Sequence, residues 1–210
     1  MKRLTKVNNT PEHWDEQYVD SPDRSWSVFL NLLVAHQVLP DKSVVDFGCG
    51  RGFLLEAINV SREDHGELYG IDYSEEGINK ARDRVPQAQF MVGDVSDVPM
   101  PDDYFDYAVS VEVLEHLDKP EEMVREMSRV LGRSGTALLT TPWRNLAPSP
   151  QHMWSFEVED IKKMFYKYFA DVHVITMASS RGVYRKYDDG SVSWNIPPGT
   201  IDTIFVRATK

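Results

Sequence analysis

One stretch, Val44-Val45-Asp46-Phe47-Gly48-Cys49-Gly50-Arg51-Gly52, restricts the fold more than any other part of the chain. Val44, Val45 and Phe47 read as a buried strand that ends beside an acid and runs directly into a glycine-rich turn. Phe53, Leu54, Leu55 and Ile58 then supply a helical stripe, so the local order is strand, glycine turn, helix. Glycine takes positive φ without steric cost and lets a ligand approach the backbone closely. The N-terminus of the following helix offers unpaired N–H groups to an acidic ligand group. Such a unit suits a nucleotide-type ligand. The dinucleotide fingerprint G-x-G-x-x-G needs glycine at position 53, where this chain has Phe53, and the spacing here is G-x-G-x-G. Asp46, just ahead of the turn, suits a ligand with a cationic head better than a bare pyrophosphate.

Four more strand signals follow at similar intervals, at Glu67–Asp72, Gln89–Val92, Phe105–Val111 and Ser134–Thr140. Helical stripes separate most of them: Ile78, Ala81 and Val85 after Ser74-Glu75-Glu76, then Met123, Val124, Met127 and Val130 up to Gly132. Strand alternating with helix argues a parallel sheet covered on both faces. Phe105–Val111 is the most continuous apolar run, as a fully buried parallel strand should be. Asp171–Thr176 and Ile201–Val206 have no periodic helix between them, so they are expected to pair antiparallel. Ahead of the glycine turn, Thr10-Pro11-Glu12 predicts a helix start carrying Trp14 and Tyr18. Ser21-Pro22-Asp23 predicts a second start, with Trp26, Phe29, Leu30 and Leu33 on one stripe.

The acid-x-Gly-x-Gly-x-Gly run at Asp46–Gly52 and the four motifs behind it resemble the class I S-adenosylmethionine-dependent methyltransferases. The resemblance spans about Trp14 to the end of the chain. It implies an α/β fold, with a seven-stranded, mostly parallel sheet of order 3-2-1-4-5-7-6, the last strand antiparallel and helices on both faces. One domain over residues 1–210 is expected, with helices of 1–40 as a lid and 41–210 as a Rossmann-like core. The implied cofactor is S-adenosylmethionine. Asp46, Gly48 and Gly50 would cradle its amino-acid tail. Asp72, about 20 residues past the turn, would accept hydrogen bonds from the ribose hydroxyls. Tyr73 would lie against the adenine, Asp94 beside the adenine amino group, and the Val95 backbone near the ring. The Val111 backbone would hold the ammonium group. Trp14 and Tyr18 would lid the cofactor, or simply pack on the sheet edge.

Chemistry is expected just past the fourth strand. No Asp/Asn-Pro-Pro-aromatic run of the kind carried by nucleic-acid and glutamine amino-group methyltransferases occurs there. Instead Glu112-x-x-Glu115-His116 would share one face if the segment makes a helical turn. Downstream lie Trp143, Arg144, His152 and Trp154. His116 or His152 could act as a general base toward a hydroxyl, since histidine titrates near neutrality. Alternatively Glu112, Glu115, His116 and His152 resemble the divalent-metal set of small-RNA 2′-O-methyltransferases and ubiquinone-pathway O-methyltransferases. In a third reading the cluster is structural. The metal reading is not the favoured one. Cys49 is expected to be filler inside the turn, and His13, His36, His65 and His173 surface or core residues. The segment from Ser179 to Pro198, with Arg181, Tyr184, Arg185, Lys186, Tyr187 and Trp194, would cover an anionic or planar substrate or form a solvated hairpin loop.

Charge and composition narrow the partners. Lys+Arg 23 against Asp+Glu 33 gives a net charge of -10, which disfavours non-specific nucleic-acid binding. The single cysteine fits a reducing compartment. No apolar run approaches the roughly 20 residues of a membrane span, and Met1-Lys2-Arg3 is not followed by a signal-like segment. The expectation is a cytoplasmic enzyme that methylates a small molecule, most simply at a hydroxyl oxygen. Its rivals are methylation of a terminal RNA 2′-hydroxyl and a non-catalytic cofactor-binding regulator. Oligomeric state has no signal in the sequence.

Overall fold

The strand–helix alternation after Val44 folds into one seven-stranded sheet, in a computed structural model that describes residues 1–4, 9–20, 28–61, 66–144, 149–178, 184–186, 192–194 and 202–210. The expected start at Ser21, together with Trp26, His65, Arg181 and Tyr187, lies outside the described residues. So do the side chains of Tyr184, Arg185, Lys186 and Trp194. The sheet strands are β1 (Val44–Phe47), β2 (Leu68–Asp72), β3 (Gln89–Val92), β4 (Phe105–Val111), β5 (Leu131–Pro142), β6 (Asp171–Met177) and β7 (Thr203–Thr209). Their spatial order is 3-2-1-4-5-7-6. Strands β1 to β5 pair in parallel, and β7 runs antiparallel between β5 and β6. That is the order and direction the sequence predicts.

The helices are α1 (Pro11–Asp20), α2 (Val28–Ala35), α3 (Phe53–Val60), α4 (Glu75–Arg84), α5 (Pro120–Val130) and α6 (Val158–Phe165). Successive strand side chains point to opposite faces, so adjacent valines serve different cores. Val45 and Phe47 pack with Met123, Met127, Ile161 and Phe165 from α5 and α6. Val44 packs with Val34, Leu55 and Ile58 from α2 and α3. Each such side chain, fully buried, contributes about 1.5–3 kcal/mol. Phe29, assigned from sequence to the apolar stripe of α2, is exposed, while Val34 and Ala35 are buried instead. Helix α5 stops at Val130, short of the expected Gly132, because Leu131 already pairs with Phe105 in the sheet.

Parallel strands bring their carboxyl ends to one side, and that is where an open α/β sheet binds ligands. Two further pieces close over this side. Helix α1 packs on α4, with Asp15 accepting hydrogen bonds from the Ser74 hydroxyl and the Glu76 N–H at its N-terminus. The short strand Lys2–Arg3 pairs antiparallel with Trp154–Ser155, a pairing that carries no sequence signal. Among the described residues no helix is long and apolar enough to cross a membrane.

Candidate functional site

The glycine turn is built by close approach. Gly48 and Gly50 have φ of 76° and 49°, where only glycine sits without strain. A Cβ at Gly48 would lie 2.5 Å from a Val113 methyl, and one at Gly50 would lie 2.8 Å from the Tyr18 hydroxyl oxygen. The Gly48 and Cys49 N–H groups donate to the Ile71 carbonyl at 2.8 and 3.0 Å, which ties the turn to β2. Asp72, at the tip of β2, accepts from the Gly50 N–H at 2.8 Å through one oxygen and from the Ser74 N–H at 2.9 Å through the other. Burial pushes the Asp72 carboxyl above its ordinary pKa, against the opposing pull of those N–H donors. Asp46 is only 2% exposed. Its burial, and then the Asp72 charge, push its carboxyl well above the carboxylate range. Cys49 is likewise buried with its thiol pushed up by burial, as befits filler.

These groups line one cavity of about 1130 Å³ at the carboxyl end of the sheet. Of the residues proposed from sequence, Trp14, Asp46, Gly48, Gly50, Asp72, Tyr73, Asp94, Val95, Val111 and His116 all border it. Asp94 is already engaged: it accepts from the Tyr73 hydroxyl at 2.9 Å and from the Ser96 N–H at 2.7 Å. Its remaining lone pairs are what a ligand amino group could use. Ligand pockets commonly run to roughly 300–1,000 Å³, so this chamber has room for a nucleoside-sized cofactor and a second small molecule.

Helix α1 roofs the chamber. The Tyr18 ring fills the notch left by two glycines, Gly50 and Gly77, and a Cβ at Gly77 would lie 2.9 Å from it. Burial, then the Asp72 charge, raise the Tyr18 pKa well above the usual phenol range. One turn earlier, Trp14 meets the His116 ring edge to face at 5.1 Å. Both aromatics border the chamber.

At the far end the sequence expectation needs correction. Glu112 has φ of 61°, which turns the chain out of β4, and the helical turn begins only at Leu114 as a short 3₁₀ segment, Leu114–His116. Glu112 lines the cavity but does not share a helix face with Glu115 and His116. Three members of the expected set do meet. The ligand-type atoms of Glu115, His116 and His152 lie within 4.8 Å of one another. Glu115 is buried and accepts from the Thr141 hydroxyl at 3.0 Å, and its other oxygen lies 3.7 Å from His116 Nε2 and 3.9 Å from His152 Nε2. His116 Nδ1 faces the Gln151 carbonyl at 3.0 Å, so the proton sits on Nδ1 and Nε2 keeps its lone pair. Burial lowers the His116 pKa to about 4, with His13 nearby lowering it further and the Gln151 bond opposing. His152 stands behind His116, ring centroids 5.0 Å apart, and does not border the cavity.

Several lining residues had no motif to announce them. Arg51 and Asn31 are buried in the chamber wall. Asn9 donates to the His116 and Gln151 carbonyls at 2.7 and 3.1 Å. His13, which the sequence gives no partner, packs on Trp14 at 5.6 Å beside the histidine cluster. Trp143 and Arg144, expected near the acceptor, instead stack on each other at 4.5 Å away from the chamber lining.

Residues 45–139 match the family model of a methyltransferase domain. The chain is 34% identical over 104 residues to a Mycobacterium tuberculosis protein named "probable S-adenosylmethionine-dependent methyltransferase", a match covering 49% of this chain and 36% of that one. It is 32% identical over 130 residues to ajmaline N-methyltransferase of Rauvolfia serpentina, covering 59% and 44%. The chain thus spans less than half the length of these curated relatives. In fold it is similar to a chain from the complex between the Haloferax volcanii Trm112 methyltransferase activator and a methyltransferase. That match has a TM-score of 0.76, 21% identity and 97% coverage of both chains.

Proposed function

We propose that this chain, which carries a class I S-adenosylmethionine-dependent methyltransferase domain over residues 45–139, moves a methyl group from S-adenosylmethionine to a small molecule, with a hydroxyl oxygen as acceptor. One observation carries the reading: a single chamber runs from the glycine turn and the acids Asp46, Asp72 and Asp94 to a neutral histidine. The cofactor, when bound, supplies an electrophilic methyl on a sulfonium. The residues present fit it: Asp72 for the ribose diol, Asp94 and Val95 for the adenine, and Asp46 with the Val111 backbone for the cationic end. Transfer is an in-line displacement, so the protein mainly holds the acceptor in place and takes its proton. His116 Nε2, with its lone pair free of a proton at neutral pH, accepts that proton. The Glu115 carboxylate at 3.7 Å then stabilises the imidazolium formed. The low His116 pKa makes it a weak base at rest.

A second reading has its own observation, the convergence of Glu115, His116 and His152 within 4.8 Å. This donor set suits a divalent cation, which when bound would acidify the acceptor hydroxyl. The likeness to ubiquinone-pathway enzymes rests on that set, three of whose four members meet. Turnover to S-adenosylhomocysteine over a panel of phenols, alcohols and amines tests both readings. Product from hydroxyl acceptors that survives EDTA supports the histidine base. Loss with EDTA and recovery with magnesium or manganese supports the cation. Product from amines alone, as the name of the Rauvolfia relative would suggest, overturns the oxygen assignment. The net charge of -10 favours a small acceptor over RNA.

A further inference from the structure

Resting on the reading of His116 as the base, we propose that Asn9 is a positioning residue for it. The Asn9 side-chain amide holds the imidazole with its proton on Nδ1 and leaves Nε2 without one. Asn9 Nδ2 donates to the His116 carbonyl at 2.7 Å and to the Gln151 carbonyl at 3.1 Å. The second of these is the carbonyl that His116 Nδ1 faces at 3.0 Å. One oxygen therefore meets two donors, which fills both of its lone pairs. An amide nitrogen carries the two hydrogens needed to span two acceptors, whereas a hydroxyl carries one. Turned over, the amide would set Oδ1 against both carbonyl oxygens, so the hydrogen-bond network fixes its orientation.

The other contacts around His116 do not settle which nitrogen is protonated. The Met153 N–H donates to the Glu115 carbonyl at 2.8 Å, which sets the spacing of the same two segments without touching the carbonyl that His116 meets. Trp14 and His152 flank the ring at 5.1 and 5.0 Å, and they limit its tilt rather than its tautomer. A carbonyl accepts and cannot donate, so a carbonyl held opposite Nδ1 keeps the proton there. Asn9 holds it from a firm base. The next residue, Thr10, opens helix α1, with its carbonyl accepting from the Trp14 N–H at 3.2 Å. Asn9 also borders the chamber, and its Oδ1 is buried with no hydrogen-bond partner among the described residues. An acceptor left in that state costs free energy, so what the amide contributes lies on its nitrogen side.

Proton–nitrogen correlation spectra of protein with isotope-labelled histidines test this at neutral pH without any acceptor, since they show which ring nitrogen carries the proton. The His116 signals are identified by their loss in His116→Gln. Native His116 is expected to hold its proton on Nδ1. In Asn9→Ala the ratio of the Nδ1–H to the Nε2–H form should fall about 5- to 10-fold, the scale of one hydrogen bond. Asn9→Asp, which offers the two carbonyls no donor, should shift it at least as far. Asn9→Gln, which keeps the amide, should recover part of the native ratio. Each variant should bind S-adenosylhomocysteine within about twofold of the native chain, because the cofactor end lies away from the clasp. Unchanged His116 signals in Asn9→Ala overturn the proposal. So does a loss of S-adenosylhomocysteine binding as large as the change in ratio, which would show a general structural role. Should the variants fail to fold, a native His116 with its proton on Nε2, or on both nitrogens, overturns the proposal by itself. Full turnover in His116→Gln would overturn the base reading instead, and the tautomer result would stand apart from it.

Discussion

The Gly50 backbone N–H donates to Asp72 at 2.8 Å, so the acid at the tip of β2 closes the glycine turn. One side chain therefore serves two ends: it shapes the turn and faces the cavity. Because its pKa is raised by burial, the ionised form carries a desolvation cost that the Gly50 and Ser74 N–H groups offset.

Asp72→Ala should accordingly weaken S-adenosylhomocysteine binding by about 1.5–3 kcal/mol, the range for hydrogen bonds to a charged group. Calorimetry reads this directly. Amide exchange at Gly50 should accelerate in the same variant, because its acceptor is gone. An unchanged isotherm would remove the ribose role, whatever happens to the turn.

His116 should give the folded protein an acid limb. Its folded pKa is about 4 against an ordinary value of 6.5, so below pH 6.5 the unfolded chain binds a proton that the folded one refuses. Stability from this group is complete above pH 6.5, falls as pH drops toward 4, and levels off below that. The loss is about 3 kcal/mol at about 1.4 kcal/mol per pKa unit. Asp46 and Asp72, with raised pKa values, act in the opposite direction. Urea midpoints between pH 7 and 4 for the native chain and His116→Gln isolate the histidine, because those acids are common to both. Parallel curves would contradict it.

Gly77→Ala offers a conflict between propensity and packing. Alanine gains up to about 1 kcal/mol over glycine in a helix interior. A Cβ here, however, would lie 2.9 Å from the Tyr18 ring, whose position is fixed on its other side by Gly50. Packing should win, and α1 should shift off the chamber. The expected readouts are a change in Trp14 fluorescence and faster release of bound S-adenosylhomocysteine. A variant that is more stable and releases no faster would show that the ring has room to move.

Arg129 should matter to the wall formed by Asp94 and Val95 although it does not itself line the chamber. Its guanidinium donates to the Val98 and Met100 carbonyls at 2.7 Å each and to Asp102 at 2.6 Å, and it pairs with buried Glu126 at 2.7 Å. Glu126 in turn accepts from the Val98 N–H at 3.0 Å. This clamp holds the loop that follows Asp94 and Val95. Arg129→Ala should cost about 2–4 kcal/mol of stability, since it leaves the buried Glu126 carboxylate with only the Val98 N–H and the more distant Arg125 at 3.5 Å. It should also raise hydrogen exchange over residues 95–102. Arg129→Lys, a point charge without the fork, should restore the ion pair but not both carbonyl contacts.

Sequence reading worked where the signal was local. Short apolar runs marked β1, β2 and β4, and the glycine spacing with Asp72 beyond it pointed to the carboxyl end of the sheet, where the chamber lies. It faltered where a residue's role comes from a distant neighbour. Glu112 looked helical by spacing, yet the turn forced on the chain at the end of β4 gives it a φ of 61°. Arg51 reads as a loop charge until Phe53, Tyr18 and Arg84 are seen around it. Asn9 and Lys2–Arg3 gave no cue, because their partners at Gln151 and Trp154 are more than a hundred residues away.

The segment that carries His152 is fastened mainly through main-chain atoms. Leu4 N–H donates to the Met153 carbonyl and Met153 N–H to the Glu115 carbonyl, each at 2.8 Å, and Arg3 pairs with Trp154 across the short ladder. Bonds of that kind do not depend on side-chain identity. Met153, the residue of this segment that lines the chamber, can therefore be exchanged while the main-chain bonds keep the frame in place.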